Sequence, residues 1–160
     1  MELHSEPIPR RAAPAMSPPS NGGQRVSSRG NGSPDHRTNA LRLMIVEDDA
    51  FVALDAKEIL ETAGYEVVGL AKSANEAVDK AGQLRPDMIL MDIRLLGARD
   101  GVDAAIEIHD RFGVRSIFAS AQSDAETRDR AEAACPLGFL SKPVTRRALL
   151  EAIERSAGQR

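Results

Sequence analysis

Met88-Ile89-Leu90-Met91-Asp92-Ile93-Arg94, directly after Pro86-Asp87, decides the reading of this chain. Four apolar residues in succession behind a turn signal predict a short strand buried on both faces, as in a parallel sheet. Asp92 then falls at the carboxyl end of that strand. Open α/β sheets bind their ligands at the carboxyl ends of strands, so Asp92 lies where chemistry is expected. On its own, such an acid reads more readily as an N-cap or a loop residue. The rest of the chain decides between the two.

Working outward, Leu41 to Val46 is a second buried strand that ends in Glu47-Asp48-Asp49. Ala50 to Ala63 carries Phe51, Leu54, Ile59 and Leu60 at helical spacing, with Asp49 as a cap and Gly64 as the stop. These four apolar residues are the expected core face of the helix. Tyr65 to Leu70 is a strand. Ser73-Ala74-Asn75-Glu76 is a capping box that opens a helix to about Leu84. Beyond Asp92, a loop with Gly97 and Gly101 leads to a helix from Val102 to near Gly113. Arg115 to Ser120 is a strand, Asp124 to Ala134 a polar helix, Gly138 to Ser141 a last strand, and Thr145 to about Ser156 a last helix. Five strands alternating with five helices imply a doubly wound parallel sheet with right-handed crossovers. The apolar content of Asp124–Ala134 is alanine alone, so that helix should pack weakly.

Composition sets the outer limits. The 160 residues suit one domain plus an extension. The hydrophobic content of 42% permits a core, and the 3% of aromatics makes it one of Ala, Val, Ile and Leu. A net charge of −3 gives no general nucleic-acid footprint. No apolar run approaches the roughly 18 residues of a membrane span, and the N-terminus lacks a signal-peptide core. A single cysteine, Cys135, precludes an intrachain disulfide and fits a reducing, cytoplasmic compartment. Beside Pro136 and Gly138 it reads as a small buried or half-buried residue. Residues 1–40 are rich in Pro, Gly, Ser and Arg and poor in apolar side chains, so they are expected to form a disordered, solvated extension or to follow a misassigned start. The folded domain is expected over 41–157. Few residues follow the last helix, so no output domain and no direct DNA binding are expected.

The strand ends collect a constellation. The first strand offers Glu47, Asp48 and Asp49, the third Asp92, the fourth Ser120, and the fifth Ser141 followed by Lys142-Pro143. Carboxylates brought this close repel one another, and the site calls for a divalent cation. An all-oxygen set of carboxylates, backbone carbonyl and water suits Mg²⁺. A hydroxyl and an ammonium opposite suit the oxygens of a phosphoryl group. The inference is an aspartate that accepts a phosphoryl group.

The pattern Ile45-Val46-Glu47-Asp48-Asp49, Pro86-Asp87 through Met91-Asp92, Asp100-Gly101, Ser120-Ala121 and Lys142-Pro143 resembles the receiver domain of bacterial two-component response regulators, of single-domain type. The resemblance covers Leu41 to about Ser156. It implies a flavodoxin-like receiver fold with five strands in the order 2-1-3-4-5. It also implies that Asp92 is the phosphoacceptor, assisted by Lys142 and Ser120. Glu47, Asp48 and Asp92 would hold Mg²⁺ with the backbone carbonyl of Arg94. Ser120 and Phe139 would be the switch pair, and Arg94 with Gln122 would tune hydrolysis of the phosphoaspartate. The partners implied are a histidine kinase or a phosphotransfer protein, and a downstream protein bound through Asp124–Ala134, Phe139 and Thr145–Ser156.

The chain departs from the family pattern at the loop Arg94-Leu95-Leu96-Gly97-Ala98-Arg99, which replaces the frequent Met-Pro pair and is about one residue longer. Phe139 lacks the hydroxyl of a switch tyrosine, so switching there rests on packing. Within the family reading, a phosphate sink or relay intermediate and a phosphorylation-independent pseudo-receiver are alternatives to a stand-alone regulator. An aspartate-nucleophile phosphatase of the haloacid dehalogenase type is a rival enzyme reading, disfavoured because Arg94 stands where such enzymes carry a second Asp.

Overall fold

The computed structural model describes residues 40–121 and 124–159. All of the expected N-terminal extension except Ala40 lies outside them. The strands are β1 (Arg42–Val46), β2 (Glu66–Ala71), β3 (Met88–Asp92), β4 (Arg115–Ser120) and β5 (Gly138–Ser141). The helices are α1 (Ala50–Thr62), α2 (Ala74–Leu84), α3 (Gly101–Phe112), α4 (Ala125–Ala131) and α5 (Arg146–Ala157). The sheet is parallel throughout, with strand order β2-β1-β3-β4-β5. This is the doubly wound sheet expected from the alternation of elements, in the flavodoxin-like strand order that the family resemblance implies.

Period two along the strands separates two cores. Met44, Val46, Ile89, Met91 and Phe118 pack with Ala77 and Val78 of α2 and Val102 and Ile108 of α3. Leu43, Ile45, Met88, Leu90 and Ile117 face the other way, with Leu60 of α1 and Leu149 and Ile153 of α5. β3 is buried along its whole length, as its apolar run requires. Val46 pairs with Met91, Asp92 with Ala119, and Ser120 with Ser141. The strand ends are therefore level, and the residues that follow them meet at one rim.

Helix starts follow the expected chemistry. Asp49 accepts from the Phe51 and Val52 N–H groups, and Thr145 accepts from Ala148 N–H. The capping box of α2 is offset by one residue: Ser73 accepts from Glu76 N–H, but Glu76 accepts from Lys72 N–H. α1 ends at Gly64, whose φ of +91° is left-handed.

Three expectations are corrected. Phe51 and Leu54 are not core residues; they are 86% and 54% exposed. Leu60 is the buried anchor of α1, and the nine residues back to Phe51, at about 100° each, place Phe51 on the opposite side of the helix. Cys135 is exposed rather than buried or half-buried. It follows the final turn in a left-handed conformation (φ +47°) that turns the chain out towards β5. The expected helix over Asp124–Ala134 is α4 capped by Asp124, then a separate 3₁₀ turn, Glu132–Ala134. Only Ala131 of α4 is buried.

Candidate functional site

Glu47 follows β1 and Asp92 ends β3, so the level strand ends place both carboxylates at one rim. Both are buried, at 8% and 5% exposure. Asp48 is half-buried beside them. One carboxylate oxygen from each of the three lies within 4.8 Å of the others. Asp49 caps α1 and is not part of this cluster. An all-oxygen set of this size is the donor chemistry of a hard divalent cation, and it fits Mg²⁺.

Lys142 comes to the cluster from the end of β5. Its Nζ donates to Asp92 Oδ2 at 2.8 Å and to Glu47 Oε2 at 2.7 Å. Its backbone N–H donates to the Ser120 carbonyl at 2.9 Å, which fixes the start of the loop against β4. The Lys142–Pro143 peptide is cis. Arg94 N–H donates to Asp92 Oδ1 at 3.0 Å, so both oxygens of Asp92 are held.

The charges respond to this crowding. Burial pushes the Glu47 carboxyl above the usual range; the Lys142 hydrogen bond opposes this and the Asp92 charge adds to it. Burial pulls the Lys142 ammonium down, but the hydrogen bonds and charges of Asp92 and Glu47 outweigh it, and the net direction is upward. The cation and the two carboxylates thus depend on one another.

Ser120, buried at the end of β4, lies at this rim as expected. Phe139 of β5 is half-buried and stacks on Phe118, with ring centroids 5.5 Å apart. The guanidinium of Arg128 on α4 sits over the Phe139 ring at 5.0 Å. Arg94 is exposed, and Gln122 lies outside the described residues. The structure therefore brings together Glu47, Asp48, Asp92 and Lys142, and places Ser120 and Phe139 along β4 and β5.

Two features went unread in the sequence. A cleft of about 650 Å³ opens beside the acids between α1 and the β5–α5 connection, lined by Phe51, Val52, Ala56, Ile59, Pro143 and Val144. The signal was available: α1 carries more apolar residues than one buried stripe can use. The second is Gly101, the first residue of α3. Its N–H donates to the Ile93 carbonyl at 2.9 Å, and a Cβ there would stand 1.8 Å from the Asp92 carbonyl oxygen. Only glycine lets α3 start against the backbone of Asp92.

A model of the response regulator receiver domain matches residues 43–154. The chain belongs to that family. The transcriptional regulatory protein PdtaR of Mycobacterium tuberculosis is 37% identical over 113 residues, 71% of this chain and 55% of that protein. The chain thus spans about half the length of that relative. The chemotaxis protein CheY of Thermotoga maritima is 35% identical over 115 residues, 71% of this chain and 95% of that protein. Among solved structures, the signal receiver domain of a modulated diguanylate cyclase from Desulfovibrio desulfuricans superimposes with a TM-score of 0.70 at 38% identity, covering 75% of this chain and 95% of that one. This receiver domain is a signal-transduction module of two-component systems, and its acidic cluster is consistent with the Mg²⁺ pocket of receivers. No helix among the described residues is long and apolar enough to cross a membrane.

Proposed function

We propose that this receiver domain, residues 41–157, accepts a phosphoryl group on Asp92 from a histidine kinase or phosphotransfer protein. It would then act by phosphorylation-dependent protein binding. The observation that carries this reading is the Lys142 ammonium held between Asp92 and Glu47, next to three convergent carboxylates.

Asp92 is the nucleophile: a carboxylate oxygen forms a bond to phosphorus as the bond to the donor nitrogen breaks, and the electron pair leaves with the donor imidazole. Arg94 N–H holds the carboxylate plane through Oδ1. Lys142 lies within reach of the incoming phosphoryl oxygens and takes up charge as it transfers. Glu47, Asp48, Asp92 and the Arg94 carbonyl are the residues that would hold Mg²⁺, whose chemistry there is neutralisation of charge on the carboxylates and the phosphoryl oxygens. Ser120 offers a hydroxyl to a phosphoryl oxygen, and its movement lets Phe139 leave its present packing and turn inward. Arg94 and Gln122 would set the rate at which water reaches the phosphoaspartate.

The donor comes over α1. Phe51, Val52 and Leu54 are the exposed large apolar side chains of that helix, and Phe51 and Val52 line the cleft that opens beside Asp92. Large exposed apolar side chains at the mouth of a cleft are suited to binding a partner. The downstream partner would use the α4, Phe139 and α5 face, where the switch residues lie.

Intact mass after incubation with Mg²⁺ and acetyl phosphate tests the reading. One phosphoryl group is expected on wild type, and none without Mg²⁺ or in Asp92→Asn. No adduct from acetyl phosphate, together with no change in amide exchange over α4 on adding beryllofluoride, would leave a binding module that works without phosphorylation.

A further inference from the structure

α4 is short, and Ala131 is its one buried residue. A helix of seven residues with an alanine anchor does not hold itself in place. Beyond Ala131 and Arg128 over the Phe139 ring, its attachment is by ion pairs. Arg130 donates to both carboxylate oxygens of Asp100, at 3.0 and 3.3 Å, and to Asp103 Oδ1 at 2.9 Å. Asp100 is at the same time the N-cap of α3, accepting from Asp103 N–H at 2.9 Å. The next residue is Gly101, whose backbone is hydrogen-bonded to Ile93 and pressed against the Asp92 carbonyl. A continuous line of contacts therefore runs from α4 through Arg130, Asp100 and Gly101 to the phosphoacceptor. It differs from the line through Ser120 and Phe139 in β4 and β5, which α4 meets through Arg128 over the Phe139 ring.

We propose that Arg130 is a positioning residue for Asp92: it clamps α4 to the first turn of α3 and so couples whatever binds α4 to the setting of the phosphoacceptor loop. The inference rests on the phosphoryl-acceptor reading of Asp92. The fork geometry is what transmits position, because two parallel N–H···O bonds fix orientation as well as distance. Coupling of this kind is reciprocal. A protein seated on α4 that draws Arg130 away releases Asp100, and with it the packing of Gly101 on Asp92. In the other direction, rearrangement of the Asp92–Gly101 loop on phosphorylation loosens α4.

The test uses the full chain as wild type, Arg130→Gln, Arg130→Lys, Asp100→Asn and the double variant Asp100→Asn/Arg130→Gln. Asparagine retains the N-cap of α3, so Asp100→Asn removes the charged fork to Asp100 without removing the cap, and leaves the Arg130–Asp103 bond. Amide exchange over 125–134 should rise about two- to fivefold in each single variant, the range of an exposed ion pair. The rate of Asp92 phosphorylation by acetyl phosphate, and the lifetime of the adduct, should shift by a similar factor. The double variant should go no further than Arg130→Gln alone. Arg130→Lys should behave like Arg130→Gln if the fork is what matters. Faster exchange at α4 with unchanged phosphorylation and lifetime would make Arg130 a local tie only and overturn the proposal. Absence of phosphorylation in wild type itself would instead remove the reading of Asp92 on which the proposal rests.

Discussion

Lys142 reaches across the end of β4 to put its ammonium 2.8 Å from Asp92 Oδ2, on the strand beyond. The same nitrogen is 2.7 Å from Glu47 at the end of β1. One cation thus joins the ends of β1, β3 and β5, and two buried carboxylates share it. The site is a piece of the fold's stability as well as the proposed reactive centre, and changes here should be read on both scales.

Lys142→Ala leaves Glu47 and Asp92 buried and facing each other. Unfolding by urea at neutral pH should show a loss of about 1–3 kcal/mol, the cost of leaving hydrogen-bonded buried charges without their partner. The folded-state pKa of Lys142 is raised, so the stability it contributes is fully present below the ordinary lysine value and is lost as pH rises through the higher folded value. The gap between wild type and variant should hold at neutral pH and close at strongly alkaline pH. A variant as stable as wild type at pH 7 would mean that the ammonium does not offset the carboxylates.

Glu47 carries the opposite test. Its folded pKa is raised above the ordinary carboxylate range. Between the ordinary and the raised value the folded state holds more protons than the unfolded one, so stability falls as pH rises through that window. Glu47→Gln should abolish this fall, while Mg²⁺ binding weakens. A pH–stability profile identical to wild type would show that Glu47 ionises freely.

The rim was legible because it is written locally. A short apolar run ending in a polar residue, three times over, places Glu47, Asp92 and Ser120 at or just past strand ends, and Lys142-Pro143 follows the last strand. Strand pairing does the rest, since a parallel sheet aligns those ends. Side-chain direction on helices was not legible. In α1 the apolar residues cover more than one face, and only the position of Leu60 against the sheet shows which face is outward. The Arg130 clamp joins residues 30 positions apart with α3 and β4 between them, and no local pattern announces it. Cys135 was misread because its neighbours Pro136 and Gly138 suggested a packed turn, whereas its left-handed backbone turns it to solvent.

Gly101 has a consequence for stability that other glycines lack. A Cβ there meets the Asp92 backbone oxygen at 1.8 Å, and backbone cannot step aside as the end of a side chain can. Gly101→Ala should cost about 3 kcal/mol or more in urea unfolding. Gly113→Ala is the control: its φ of +70° carries left-handed strain but the space is open, for a cost of about 1–2 kcal/mol. Equal losses in the two variants would mean that α3 shifts easily away from Asp92.

Phe51 separates the donor surface from the chemistry. Its side chain is exposed, so Phe51→Asp should alter stability by no more than about 0.5 kcal/mol. Asp92, Lys142 and the acids are untouched by it, and the rate with acetyl phosphate, which needs no docking surface, should stay at the wild-type value. Transfer from a phosphorylated histidine kinase should fall about tenfold or more, because an apolar anchor at the mouth of the cleft has been replaced by a charge. The comparison of the two donors in one preparation is what makes the result interpretable. A fall with both donors would place Phe51 in the reacting site, and a fall with neither would move the donor surface off α1.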